Sequence, residues 1–251
     1  MPPARCARAR HSQNGRALPT TFTLVALVAL AASAHANTVS IPCQRHNTLY
    51  QESGDLSDGV GPTIIAGRED FDYTFSLRRG LVRFAVDIYI PAGSTITNVQ
   101  LVLNCARSAS NAATSLLRVT QGWGAASSDA GYPGDAGALA RPGDATWVYR
   151  SWPGSPWTTA GGDFSAVVAS IPTTPLGTVT IGSTSSTVNE VQSWLNTPAS
   201  NFGWLLVGNE STSNAATANV FFAGPTLTVS YLPPVVPAKA PTWGRVKALY
   251  R

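Results

Sequence analysis

Short apolar runs, most of them alternating with polar residues, recur along residues 37–232 with Gly, Pro, Asn and Ser between them. In 81–87, Val82, Phe84 and Val86 fall on one face of an extended chain and Arg83 and Asp87 on the other, because successive strand side chains point opposite ways. Pro91-Ala92-Gly93 turns the chain, and Val99, Leu101, Leu103 and Cys105 share one face of the next run. Runs at 38–43, 63–66, 116–120, 176–181, 203–207, 220–222 and 226–231 continue the pattern. Many short strands with Gly/Pro turns predict an all-β fold of two packed antiparallel sheets.

One short helix is predicted over 187–195. Thr187 and Glu190 stand three apart, a spacing that lets hydroxyl and carboxylate each satisfy a free N–H of the first turn. Val188, Val191 and Leu195 then share a face, Trp194 flanks it, and Pro198 stops the helix. No such period runs through 121–162, which is rich in Gly, Ala and Pro and holds Trp123, Trp147, Trp152 and Trp157. A loop of that length is usually functional or disordered, and four tryptophans argue against disorder.

The first 36 residues read differently. Arg5, Arg8, Arg10 and Arg16 precede an apolar run at 22–32, and Ala34-His35-Ala36 follows. Basic start, apolar run and small-x-small end predict a signal peptide over 1–36, cleaved after Ala36. The run is too short for a membrane span, which needs about 20 apolar residues. The expected destination is extracellular or the cell surface. Residues 37–232 then form one domain, and 233–251 a Pro-rich linker with a basic tail. In that tail Trp243, Val246, Leu249 and Tyr250 fall near helical spacing, for docking to a sorting or surface partner or as fraying coil.

Charge changes the picture only once it is divided. The chain has 17 basic and 13 acidic residues, but four arginines lie in the leader and Lys239, Arg245, Lys247 and Arg251 in the tail. Residues 37–232 keep nine arginines against all 13 acids, a net of −4. A nucleic-acid partner wants a basic face on the folded domain, so that class is set aside.

Candidate chemistry is sparse. His46 is the only histidine after the leader, which leaves a Ser–His–Asp triad a single base and rules out a zinc site built on several His or Cys ligands. Asp129, Asp135, Asp144 and Asp163 are spread among glycines, with nothing to fix a pair at the separation that glycoside hydrolysis needs. No catalytic residue is assigned and no cofactor is expected. Glu52, Asp55 and Asp58 offer hard oxygen ligands for a structural Ca²⁺, with a solvated turn as the alternative. Export permits a Cys43–Cys105 disulfide, with two buried free thiols as the alternative. Trp147, Tyr149, Trp152 and Trp157, close together with Arg150 and Asp144, either stack on sugar rings or pin the loop onto the sandwich.

Beyond these readings the chain resembles a known family. "RRGLVRFAVDIYIPAGSTITNVQLVLN" (78–104) resembles the signature of DNRLRE-type domains, an Arg-rich strand followed by an Ile-Pro-x-Gly turn and strand. "NTLYQESGDLSDGVGPTIIAGR", "LLRVTQGW", "TVNEVQSWLNTPASNFGWLLVGNE" and "PTLTVSY" resemble its other segments in order, covering most of 46–231. The resemblance implies a jelly-roll-like β-sandwich, similar to family 96 carbohydrate-binding modules that bind alginate-type polysaccharides. The hexapeptide that names the family is absent, and 121–162 is longer than the family's compact form. The expected function is thus a secreted non-catalytic module whose partner is a polysaccharide or cell-surface glycan. The alternatives are a structural surface or matrix protein and, behind it, a polysaccharide-degrading enzyme.

Overall fold

The computed structural model describes residues 35–70, 75–211 and 215–235. The expected leader, except His35 and Ala36, and the tail from residue 236 lie outside the described residues. The elements run β1 (Asn37–Tyr50), β2 (Leu56–Ser57), β3 (Thr63–Arg68), β4 (Leu77–Phe84), α1 (Val86–Tyr89), β5 (Thr95–Ser108) and β6 (Thr114–Val119). Then come β7 (Ala138–Leu139), β8 (Tyr149–Ser151), β9 (Ser155–Pro156), β10 (Phe164–Ile171), β11 (Gly177–Ile181), α2 (Ser185–Asn196), β12 (Trp204–Val207), β13 (Asn219–Phe222) and β14 (Thr226–Leu232). The fold is an all-β antiparallel sandwich.

Two strands serve both layers. The first half of β1 pairs β14 in one layer, and after a bulge at Cys43–Arg45 its second half pairs β4 in the other. β3 likewise pairs β13 and then, through Gly67 and Arg68, β4. β14 and β13 follow one another along the same long strand, β5, whose other partner is β11. The second layer continues from β4 through β12 and β6 to β10 at its edge. Pairings β1–β14–β5–β13–β3–β4–β1 close on themselves, so the sandwich is barrel-like.

Alternation explains which side chains meet. Val82, Phe84, Trp204, Leu206 and Leu116 face inward and join Ile64, Val99, Leu101, Leu103 and Phe221 in the main core. Their neighbours Leu81, Leu205 and Leu117 point the other way and join Leu49 in a second cluster on the outer face. That face would be a large exposed apolar patch, but segment 121–162 lies over it and contributes Trp123, Ala145 and Trp157.

The helix prediction holds with a shifted cap. Thr184 is the N-cap: its hydroxyl accepts from Thr187 N–H, and Thr187 reciprocates on Thr184 N–H at 2.9 Å. Glu190 is not the cap's carboxylate. It is buried and faces Arg118 at 3.2 Å. Val191, Trp194 and Leu195 pack into the main core, with the Trp194 and Trp204 rings 4.7 Å apart. The run at 81–87 differs from expectation: the strand ends at Phe84 and 86–89 make one helical turn, closed by Ile90 N–H on the Val86 carbonyl at 3.0 Å.

The disulfide expectation is corrected. Cys43 and Cys105 are free thiols. The register aligns Pro42 with Thr226 and Thr226 with Val102, so β14 lies between the two cysteine-bearing strands. Two strand spacings amount to about 10 Å, beyond the roughly 7 Å Cα separation a disulfide spans. The Cys43 thiol donates instead toward the carbonyls of Arg45 and Arg83, and the Cys105 thiol toward that of Arg107. Burial pushes Cys43 up to about 11, the carbonyl contacts partly opposing it, so the reactive thiolate is scarce at neutral pH.

Candidate functional site: a cationic cleft beside a fastened loop

Segment 121–162 is ordered by polar fastenings more than by secondary structure. Asn47, fully buried on β1, donates to the carbonyls of Gly124 and Ala145 and accepts from Ser57 and Asp58 N–H. Tyr50 donates to the Gly134 carbonyl at 2.8 Å, and Arg78, buried beneath Tyr50, reaches the Asp135 carbonyl. Arg107 holds the Asp135 carboxylate from β5. Gly124 passes so close to Gly143 that a Cβ would stand 1.7 Å from its carbonyl oxygen, so only glycine fits there.

The loop acids belong to the same fastening. Asp144 is fully buried and accepts backbone N–H groups of Ala126 and Arg141. Asp163 accepts from Thr158 and Thr159, each at 2.9 Å, and Asp129 from Gly131. The spread of these acids among glycines gives no hint of this role, since the sequence does not show which N–H groups fold back onto each carboxylate.

Of the four predicted sugar-contacting aromatics, two are anchors. Trp157 is only 5% exposed and donates to the Thr146 carbonyl at 2.9 Å, which corrects the expectation that it contacts ligand. Trp147 packs on the outer-face cluster under the Arg79 guanidinium, 4.9 Å from its ring. Tyr149 and Trp152 sit half-buried on the small β8–β9 hairpin.

The calcium triad does not assemble. Glu52 forms a two-pronged ion pair with Arg78, both contacts 2.6 Å. Asp55 takes the Ser53 hydroxyl, and Asp58 turns inward to the Ala130 N–H at 2.9 Å. Among the described residues no three His, Cys, Asp or Glu side chains gather as a metal site.

Two features went unseen in the sequence. The first is a cleft of about 460 Å³ lined by Gln44, Arg45, His46, Val60, Ala125 and Ala223 among others. Arg45 lies 4.9 Å over the Trp123 ring, and its buried Nε has no hydrogen-bond partner among the described residues. Directly across the β1–β4 ladder stands Arg83, which donates to the Asn201 carbonyl and to Gln44. Like charges in that position repel, and burial together with the Arg83 charge lowers the Arg45 pKa. Among the described residues neither arginine has a carboxylate partner. Burial also lowers the His46 pKa, partly opposed by its contact to the Gly61 carbonyl at 3.0 Å.

The second feature is a pair of exposed rings. Tyr132 and Phe222 stack with centroids 6.3 Å apart and planes 16° from parallel, yet they are 64% and 43% exposed. Phe222 immediately precedes Ala223 of the cleft lining. A weak signal was present: "GYPG" places Tyr132 at a loop tip, and the end of 220–222 places Phe222 at a turn. Only the register reveals that they meet. No family model and no curated protein matches the chain, so its residues alone carry the functional argument. No helix among the described residues is long and apolar enough to cross a membrane.

Proposed function

We propose that the domain is a secreted, non-catalytic binding module for an acidic polysaccharide. The observation that carries this reading is the Arg45–Arg83 pair, two cross-strand cations without an acidic partner among the described residues, with Arg45 lining the cleft and Phe222 of the exposed stack next in the chain to its Ala223. A sugar carboxylate supplies the missing counter-charge through a charge-assisted hydrogen bond, and an aromatic face takes the apolar face of a pyranose ring. The non-catalytic part is supported by Asp144 and Asp163, whose oxygens hold backbone N–H groups. The leader expectation supports export.

Affinity electrophoresis tests the reading in gels carrying a polyuronate or a neutral glucan. The protein is expected to be retarded by the polyuronate, with retardation weakening as salt rises, since exposed charge pairs are screened over about 10 Å at 0.1 M. Phe222→Ala is expected to reduce affinity roughly 3- to 10-fold and to leave the melting midpoint nearly unchanged. Equal mobility in all gels would remove the proposal.

A further inference from the structure

We propose a structural Ca²⁺ site where the tip of the long loop, residues 128–134, closes over Asp58 and Thr63. This site is independent of the glycan reading and has a different ligand set from Glu52, Asp55 and Asp58.

The argument starts from an orphaned oxygen. Asp58 is fully buried, and its Oδ1 accepts the Ala130 N–H at 2.9 Å. Its Oδ2 is buried with no hydrogen-bond partner among the described residues. A buried carboxylate oxygen left in that state is costly, because the water it gave up is not replaced. Among the described residues no basic side chain donates to it.

A cradle lies in front of that oxygen. Gly134, at φ +90°, has no Cβ, and the point where one would stand is 2.5 Å from Thr63 Oγ1, 3.5 Å from Asp58 Oδ2 and 3.6 Å from the Gly131 carbonyl oxygen. The Thr63 hydroxyl gives its proton to the Pro133 carbonyl, which leaves the oxygen's lone pairs free to act as donors to an ion. A carboxylate, a hydroxyl and a backbone carbonyl, all oxygen, converge on one small volume. That is the donor chemistry of a hard cation, and Ca²⁺ tolerates an irregular set completed by water where Mg²⁺ demands a near-ideal octahedron.

Electrostatics favours a cation over an empty cradle. Burial pushes the Asp58 carboxyl up to about 6, and the negative charges of Asp129 and Asp144 add to this against the Ala130 and Gly61 N–H groups. Burial disfavours any bare charge there, but the negative charges of Asp129 and Asp144 that help raise the carboxyl also attract a positive ion. An ion paired with the carboxylate relieves the buried charge of both. With one carboxylate in the set, affinity belongs with weak extracellular calcium modules, on the order of 10⁻⁴–10⁻³ M. The ion would tie the β2–β3 turn to the loop tip, next to the Tyr50–Gly134 fastening.

Thermal melts of the chelator-treated protein test the proposal. Adding 10 mM CaCl₂ is expected to raise the midpoint by about 3–5 °C, MgCl₂ by less, and NaCl at matched ionic strength not at all. Asp58→Asn keeps an acceptor for Ala130 and removes the buried charge, so it is expected to fold and to lose the calcium increment. Terbium luminescence excited through the aromatic rings provides a second reading, displaced by Ca²⁺ in the native protein and absent in Asp58→Asn. An unchanged midpoint without displaceable terbium signal would overturn the site, as would an equal calcium shift in Asp58→Asn. So would stabilisation that follows acidification alone, which would make the occupant a proton. No glycan enters these measurements, so they stand or fall apart from the proposed function.

Discussion

Tryptophans anchor both hydrophobic clusters of this protein, and they do so differently. Between the layers, Trp194 and Trp204 pack against each other and Phe84, supported by alternating strand residues and the apolar face of α2. On the outer face, Trp123 and Trp157 are pinned by indole hydrogen bonds to the carbonyls of Phe202 and Thr146, amid a lattice of buried polar groups. The Trp204 indole N–H, by contrast, is buried with no hydrogen-bond partner among the described residues. The inner cluster rests on repetition, with each strand contributing residues at period two. The outer one rests on single contacts between positions far apart in the chain, and a loop held that way can be loosened without dissolving the sandwich.

Substitutions separate the two regimes. Trp204→Ala empties the centre of the inner cluster and is expected to lower stability by about 3–5 kcal/mol, seen as an earlier cooperative denaturant transition with loss of protection in every strand. Trp157→Ala is expected to cost on the order of 3 kcal/mol at its site, with hydrogen exchange rising first across 121–162 and the slowest β4 and β5 amides little changed. Uniform acceleration throughout the domain would show that loop and sandwich unfold as one unit. Trp152→Ala removes a half-buried ring from the β8–β9 hairpin and is expected to shift stability by no more than roughly 0.5 kcal/mol. The smallest effect belongs to the cysteines. With two free thiols, alkylation of unfolded, unreduced protein is expected to label both Cys43 and Cys105, and reductant to leave the melting curve in place. A single unlabelled pair on intact-mass measurement would restore the disulfide.

The same contrast explains what was legible in the sequence. Val82–Phe84 and Val99–Cys105 alternate because each strand has one face in the core, and that alternation sufficed for the all-β sandwich and for the placing of most strands. β10 escaped notice because it is an edge strand whose Phe164, Ser165, Ala166 and Val167 are exposed, so no buried face imprints a period. The helix was visible, but its cap was misplaced by three residues, since Thr184 and Thr187 are both chemically suited and only backbone geometry chooses. The loop's four tryptophans announced order without saying which ring would be buried. Arg45 and Arg83 are 38 positions apart, and their juxtaposition exists only in the β1–β4 register. Nothing local to either position marks them as a pair, and the same holds for Tyr132 with Phe222.

The central claim is that the Arg45–Arg83 pair, which has no carboxylate partner among the described residues, selects an acidic glycan. Calorimetric titration with a uronate oligosaccharide and its carboxyl-reduced counterpart, on the native protein and on Arg45→Gln, tests it most directly. The account predicts that the native protein binds the uronate at least 10-fold more tightly than the reduced sugar, a difference of about 1.4 kcal/mol, and that Arg45→Gln loses most of that preference while melting near the native midpoint. Equal affinity for both sugars in the native protein, or an undiminished preference in Arg45→Gln, would contradict it.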